Sequence, residues 1–405
     1  MNIAIAILGL GVLILVHEAG HFFTARAVGM SPRRFYVGFP PPLVKKVHNG
    51  IEYGIGAIPL GGYVKIPGMH RPAPSDLDLH FAQVVQQAPK LVHPVESVKR
   101  PLAAGKLVEA GRALDGLESA LEEAELTSSA ERSATRAIRE LRDGLAPDAY
   151  WRQATWRRVA VIFAGPATNL VLAVCLFAAL FMFGGGKATT TIDSVLPGAP
   201  AERVGLRSGD RILAIDGRPV TPSRIPDEIA GSEGRPLTLT VRRGGREVFL
   251  GPVRPRREED DSYRLGFVLR GEGLSPPDAA WRSVETTGIV TREIGKSLGR
   301  LVRGSGREDV SSPVGIVQGS SNALDAGVET FLWVMGLISL SLALLNLLPL
   351  LPLDGGHIMF SLIEALRGRA VGREVYERVS AIGIAFVIIL FVIGLSNDIG
   401  RLGGG

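Results

Sequence analysis

Four long apolar stretches without a charged side chain constrain this chain more than any other feature. No Asp, Glu, Lys or Arg occurs in residues 3–16, 159–183, 331–353 and 379–397. A helix needs about 20 residues at 1.5 Å each to cross the hydrocarbon layer of a bilayer, which is about 30 Å thick. The last three stretches are long enough, and the first is long enough only if it continues through a polar cluster at 17–21. The sequence therefore predicts an α-helical polytopic membrane protein. We place its four transmembrane helices at 1–27, 150–186, 331–363 and 379–405.

The composition narrows the chemistry that is available to the chain. Because Cys175 is the only cysteine, an intramolecular disulfide and a cysteine-based zinc or iron–sulfur site are excluded. Any metal must therefore be held by histidines and carboxylates. The formal net charge of +5 says little about partners by itself, and we expect the lipid bilayer, but no nucleic acid, among them.

The positions of Lys and Arg next to the apolar stretches predict the orientation in the membrane. Basic residues cluster after the first stretch, before the second, and between the third and the fourth. Since such clusters favour the cytosolic side, we place residues 27–158 and 364–378 in the cytosol and 184–330 outside. Four basic residues between 292 and 303 lie on the opposite side in this scheme, and long translocated segments largely escape the rule.

The segments between the predicted helices differ in character. Residues 28–70 contain short strand-like runs, and Asn49-Gly50 is a strong hairpin-turn signal, which predicts a membrane-associated β-hairpin or sheet. Residues 71–149 are rich in Ala, Leu, Glu and Arg, with apolar residues at helical spacing from Leu107 to Ala124. Ser128 and Glu131 form a capping-box pattern that would open a second helix. We predict a cytosolic helical hairpin, either a spacer packed on itself or a partner-binding insert.

A second β-rich region is predicted at residues 187–270. Residues 205–217 are Gly-Leu-Arg-Ser-Gly-Asp-Arg-Ile-Leu-Ala-Ile-Asp-Gly. This string resembles the signature of bacterial, circularly permuted PDZ domains. The resemblance implies capture of an extended peptide or a C-terminus at an open sheet edge, and a gate that binds no peptide tightly is the alternative. Residues 271–330 would form an amphipathic connector outside the membrane.

The polar cluster in the first apolar stretch is His-Glu-Ala-Gly-His at positions 17–21. Four residues turn a helix by about 400°, so His17 and His21 share one face and could bind the same Zn²⁺. Glu18 points elsewhere and could accept a proton from an attacking water. Ionisable residues within a span are costly and indicate function, which favours a metal site over a metal-free polar cluster. A secretory signal peptide is disfavoured because residues 1–2 are uncharged and the cluster interrupts the apolar run.

A catalytic zinc ion needs a third protein ligand. Candidates lie at the end of the third apolar stretch, where Pro349 and Pro352 break the helix and a Gly-Gly pair follows. Asp354 or His357 could project inward from this unwound segment. Spacing alone leaves both possible.

Together these motifs resemble the site-2 protease family of intramembrane zinc metalloproteases, close to the bacterial regulator-of-sigma-E protease type, here with one PDZ domain. The zinc motif at 17–21 and the Asn-x-x-Pro…Leu-Asp-Gly pattern at 346–355 carry the resemblance. It implies that Asp354 is the third zinc ligand and that Asn346 contributes to substrate binding. The Gly-x-x-x-Asn element that ends at Asn169 implies that Asn169 assists catalysis near the zinc.

The resemblance covers roughly residues 1–68 and 150–398. Residues 35–39 and 61–66 look like the membrane-associated β-loop of the family. We expect its edge to hold an unwound substrate, and the residues concerned are Gly61, Gly62, Tyr63 and Val64. The chain departs from the family pattern in two features. It contains the insert at 71–149, and it has one PDZ-like domain where some relatives carry two.

The resemblance implies an endopeptidase that cleaves transmembrane segments of single-pass proteins. Regulated intramembrane proteolysis of anti-sigma factors, or cleavage of signal-peptide remnants, would be the setting. We expect it in the bacterial cytoplasmic membrane, with the PDZ-like domain outside and the active site toward the cytosol. A catalytically idle scaffold that recruits partners through the PDZ-like domain is the alternative, against which an intact Glu18 argues. Four spans without an inverted repeat argue against a transporter.

Overall fold

The computed structural model describes residues 1–258 and 262–403 and is mostly helical. The helices are α1 (Asn2–Ala27), α2 (Pro74–Gln87), α3 (Val92–Ala103), α4 (Leu107–Glu122), α5 (Ser128–Leu145), α6 (Thr155–Leu180), α7 (Pro200–Arg203), α8 (Arg224–Ala230), α9 (Pro276–Val302), α10 (Pro313–Asp325), α11 (Val328–Asn346), α12 (Asp354–Arg367) and α13 (Arg373–Gly403). The strands are β1 (Arg34–His48), β2 (Ile51–Lys65), β3 (Lys187–Val195), β4 (Arg211–Ile215), β5 (Arg218–Pro219), β6 (Leu237–Arg243), β7 (Arg246–Val253), β8 (Arg256–Arg257), β9 (Tyr263–Arg264) and β10 (Phe267–Glu272).

The chain forms two compact units. Unit 1 comprises Met1–Leu172, Ile294–Asn322 and Ile338–Gly405. Unit 2 comprises Ala173–Glu293 and Ala323–Leu337.

In the described part of the chain, four helices are long and apolar enough to cross a membrane, which confirms the predicted number. They are Asn2–Ala27, Thr155–Gly185, Val328–Asn346 and Glu374–Arg401. Within the predicted segment 331–363 the third helix ends at Asn346, since the prolines at 349 and 352 cannot continue a helix. The chain turns over residues 347–353, and α12 then begins at Asp354.

In unit 1, β1 and β2 form a folded antiparallel sheet. Its turn lies at Asn49 and Gly50, which both have positive φ (48° and 76°), as a tight two-residue hairpin requires. Residues 34–37 of β1 pair with 52–55 of β2 and also with 62–65 of the same strand. Among the residues that the structure describes, 62–65 therefore pair on one side only and form an edge of this sheet.

The insert contains four helices, two more than the predicted hairpin. Helices α4 and α5 correspond to the predicted pair, and α2 and α3 share their core, whose largest fully buried side chains are Leu77, Phe81, Leu91, Leu114 and Leu117. The apolar pattern was concealed because α2 and α3 are short, with 14 and 12 residues, and α3 also contains Pro101 in its interior. The predicted capping box is also corrected, because the cap of α5 is Thr127, whose Oγ1 accepts a hydrogen bond from the Ala130 N–H.

The insert is joined to the sheet by a cluster of ion pairs. Asp143 of α5 accepts hydrogen bonds from Arg33 Nε (3.0 Å) and Lys65 Nζ (2.7 Å). Arg33 also contacts Asp148 (3.3 Å). Because the side chain of Asp143 is only 12% exposed, its charge needs these partners. The start of β1 and the end of β2 thus share one carboxylate.

Unit 2 is built on an antiparallel sheet with the strand order β10-β3-β4-β6-β7, and β5 pairs with β4. Its core includes Ile192, Ile212, Leu239 and Val241, which are at most 1% exposed. The assignment of this region as a PDZ domain stays a prediction.

An ion pair between a buried carboxylate and a half-buried guanidinium stabilises the sheet of unit 2. Asp210 accepts hydrogen bonds from the Arg243 guanidinium (2.7 and 2.6 Å) and from the Arg207 N–H (2.8 Å). Burial raises the pKa of Asp210, but the hydrogen bonds from Arg243 and the Arg207 backbone outweigh burial and hold this pKa below its ordinary value.

We therefore expect Asp210→Asn to destabilise unit 2 by about 1–3 kcal/mol at pH 7. Since the folded-state pKa is lowered, the carboxylate stabilises the fold above the ordinary aspartate pKa, and this contribution is lost as the pH falls through the folded-state pKa. The variant should lack this part of the acid dependence. Hydrogen–deuterium exchange of β4 and β6 in the full-length protein, corrected for intrinsic rates, measures both effects. Asp227→Asn, at an exposed position of α8, is the control, and equal protection in both variants would contradict the expectation.

Candidate metal centre

Two histidines of α1 face the same point in unit 1. His17 and His21 lie one helical turn apart, and both are buried, at 7% and 6% exposure. Their Nε2 atoms are 3.2 Å from each other.

Asp354 reaches the same point from the start of α12. Its Oδ2 lies 3.1 Å from His17 Nε2 and 3.4 Å from His21 Nε2. The glycines that follow allow this approach, because a Cβ at Gly356 would lie 2.6 Å from the Leu351 nitrogen and one at Gly355 would overlap the Leu347 carbonyl. Within residues 1–258 and 262–403, this is the one group of three histidine, cysteine or acidic side chains that could hold a metal ion.

The spacing of these atoms fits a tetrahedral zinc site. Ligand atoms 2.0–2.1 Å from zinc at tetrahedral angles lie about 3.3 Å from one another. The three observed separations are 3.1, 3.2 and 3.4 Å. Asp354 Oδ2 is moreover buried and forms no hydrogen bond within the described part of the chain. Three lone-pair atoms facing one another at these distances suit a shared cation.

His357, the other candidate ligand, is engaged elsewhere. Its Nδ1 lies 2.8 Å from the hydroxyl of Tyr376 on α13. His357 lines the cavity beside the centre but does not belong to the three-residue cluster. The geometry thus favours Asp354.

Helix α6 packs directly behind the two imidazoles. A Cβ at Gly165 would lie 2.9 Å from His17 Nε2 and closer still to His21 Nε2, so only glycine leaves room for the rings. His21 Nδ1 donates a hydrogen bond to the Val161 carbonyl oxygen (2.8 Å), which leaves Nε2 free to bind a metal. Asn169 Nδ2 lies 3.4 Å from His17 Nδ1.

Glu18 and the sheet edge border an open cavity of about 620 Å³ next to the centre. Gly61, Gly62, Tyr63 and Val64 line it, as does Asn346. A Cβ at Gly62 would lie 2.8 Å from Glu18 Cγ, so the edge of β2 presses against the Glu18 side chain. Asn169 is fully buried and is not among the lining residues.

Several contacts of the centre had no signal in the sequence. The Val161 acceptor is a backbone atom, and Tyr376 lies among charged residues in the first turns of α13, where no motif singles it out. The close approach at Gly165 could be suspected from the Gly-x-x-x-Asn element, but its contact with the imidazoles could not.

Comparison with known proteins gives one consistent result. The family model described as Peptidase family M50 matches residues 5–390. "Putative zinc metalloprotease Atu1380" of Agrobacterium fabrum is 31% identical over 98% of this chain and 95% of its own length. "Putative zinc metalloprotease LL2128" of Lactococcus lactis is 30% identical over 96% of each chain. "Probable protease eep" of Enterococcus faecalis is 31% identical over 96% of this chain and 97% of its own length.

The contact at Gly165 generates a test of the metal centre. We expect Gly165→Ala to weaken zinc binding about 10-fold or more, because the added methyl group occupies the space of the imidazoles. Gly11→Ala in α1 is the control, since a Cβ there meets nothing within 4 Å. Metal analysis of both purified proteins, followed by chelator competition, measures the effect. Wild-type zinc affinity in Gly165→Ala would contradict the described packing.

Proposed function

The chain belongs to peptidase family M50, the family of the site-2 proteases, and we propose that this zinc metalloprotease cleaves transmembrane segments of single-pass membrane proteins. One observation carries the proposal. His17, His21 and Asp354 converge beside Glu18 and a strand edge, on or directly after helices that are apolar enough to cross a membrane.

His17, His21 and Asp354 would hold the zinc ion. When bound, zinc polarises the scissile carbonyl and makes the attacking water more acidic. Glu18 lines the same cavity without belonging to the ligand cluster, so its carboxylate is placed to accept the proton of that water. The water oxygen adds to the scissile carbonyl carbon as this proton leaves. Glu18 then returns the proton to the amine nitrogen, and the C–N bond breaks to give a carboxylic acid and an amine.

The strand edge would present the substrate. A transmembrane helix shields its peptide bonds by its own hydrogen bonds, so a substrate must unwind before it is cleaved. Residues 62–65 pair with 34–37 and, in the described part of the chain, with no strand on their other side, and 61–64 line the cavity. We assign to this edge the binding of an extended substrate segment by strand addition. Asn346, which lines the same cavity, is the amide group that we place against the substrate.

The direction of the site in the membrane follows from charge. Arg26 follows His21 after five residues, so we place the centre near the cytosolic ends of the helices in a bacterial cytoplasmic membrane. The PDZ-like region of unit 2 would then lie outside and exclude substrates with bulky external parts, or hold a peptide end. Anti-sigma factors and signal-peptide remnants are the substrate types that this arrangement suits.

The alternative of an idle scaffold has no specific observation in its favour. A scaffold needs neither the three converging ligand atoms nor a carboxylate beside them. If these buried ionisable groups had no function, their burial would cost several kcal/mol of free energy without compensation.

Glu18→Gln tests the assignment of the base. We expect the variant to keep zinc and to lose cleavage by about 10²–10⁴-fold, because the amide cannot accept the proton. Zinc content and initial rates on a model single-pass substrate in liposomes measure the two effects. Glu122→Gln, at an exposed position of α4, is the control and should cleave like wild type. Equal cleavage by Glu18→Gln and wild type would remove Glu18 from this role.

The requirement for unwinding generates a test on the substrate side. A substrate whose helix-destabilising Gly or Pro residues near the cleaved bond are replaced by Leu should be cleaved more slowly, because more backbone hydrogen bonds must break. Rates are compared with those for a substrate that carries the same replacements at the far end of its helix. Identical rates for the two substrates would argue against strand addition as the binding mode.

A further inference from the structure

Asn169 is completely buried, yet only one of the two polar atoms of its side chain has a neighbour within hydrogen-bond distance in the described part of the chain. Its Nδ2 lies 3.4 Å from His17 Nδ1, and its Oδ1 forms no hydrogen bond within residues 1–258 and 262–403. A buried amide oxygen without a donor costs about 1–3 kcal/mol, so a compensating contact is expected. The missing donor must come from a group that the amide already touches.

The missing donor is the ring N–H that a histidine carries when its other ring nitrogen binds a metal. A neutral imidazole that binds a metal through Nε2 carries its proton on Nδ1, and this N–H needs an acceptor. For His21 the acceptor is the Val161 carbonyl oxygen of α6, at 2.8 Å. For His17 the neighbouring group is the Asn169 amide, whose oxygen becomes the acceptor when the amide turns by 180° about its last bond.

The surroundings hold Asn169 in this place. Its backbone carbonyl accepts a hydrogen bond from Ser339 Oγ (2.8 Å), and Ser339 is itself fully buried on α11. Asn169 does not line the cavity, whereas Asn346 does. An amide that lies behind the imidazole of a metal-binding histidine is placed to orient that imidazole, whereas an amide that lines the cavity can contact the substrate.

We propose that Asn169 is a positioning residue whose Oδ1 accepts the Nδ1–H of His17 and fixes the tautomer and tilt of this imidazole for zinc. This inference rests on the proposed function and departs from a direct role of Asn169 at the reacting carbonyl. Helix α6 then supplies an acceptor to each histidine, one from its backbone and one from a side chain.

Two substitutions with opposite chemistry test the proposal. Asn169→Leu removes the acceptor at similar volume, and we expect zinc affinity to fall about 10–100-fold. Asn169→Asp keeps an acceptor and removes the donor, and we expect zinc affinity at the wild-type level or tighter. Chelator competition on the full-length protein in detergent gives the affinity, and the visible spectrum of the Co²⁺-loaded protein reports the ligand geometry. Thr168→Val, which removes a hydroxyl that donates to the Val16 and Gly165 carbonyls, is the matched control in the same helix.

Asn346→Leu distinguishes the role of the Asn346 amide from that of the Asn169 amide. This variant should reduce cleavage while zinc affinity stays unchanged. Wild-type zinc affinity in Asn169→Leu would overturn the proposal, and so would an equal loss of affinity in Asn169→Leu and Asn169→Asp. If Asn169→Leu does not fold, the affinity of Asn169→Asp decides alone, and a weakened one overturns the proposal. A wild-type protein that binds no zinc would instead refute the proposed function, so the two failures are distinguishable.

Discussion

Two imidazoles and a carboxylate are withdrawn from water together in this protein. The packing of unit 1 around them has to compensate the free energy that their burial costs. Isolated, each such group in an apolar surrounding would be destabilised by several kcal/mol. Here their ligand atoms lie 3.1–3.4 Å apart, which matches the spacing around one small divalent ion. The same groups that would be a liability in a lipid-embedded helix thus become a binding site, because a shared cation offsets their burial.

Close backbone packing brings the ligands together, and glycine makes it possible at each contact. A Cβ at Gly20 would lie 2.7 Å from Thr168 Oγ1, and one at Gly165 would strike the imidazoles, so α1 and α6 approach at the distance that only glycine permits. Gly355 and Gly356 do the same where α12 turns in after the third span. This is the small-residue packing by which helices associate in a membrane, where burial of apolar surface gives little driving force.

Much of this arrangement could be predicted from the sequence, because the signals are local. Charge-free stretches predict spans, and a four-residue spacing puts His17 and His21 on one face. The choice between Asp354 and His357 could not be made from spacing, since both follow the same broken helix and only tertiary packing directs His357 to Tyr376. Helices α2 and α3 were missed because each is short, and a proline lies inside α3. The place of Asn169 behind His17 depends on how two distant helices cross, which no local pattern encodes.

The carboxylate shared by the two ends of the folded sheet has a consequence for how accurately its strands are aligned with each other. Asp143 holds Arg33, just before β1 begins, and Lys65, where β2 ends. In a β-sheet, slippage by one residue turns every side chain to the opposite face. Such slippage here would separate Lys65 from its anchor and exchange the neighbours that Tyr63 and Val64 offer to an incoming chain. The helical insert, through a single aspartate, therefore acts as a stop that keeps the strand in one alignment.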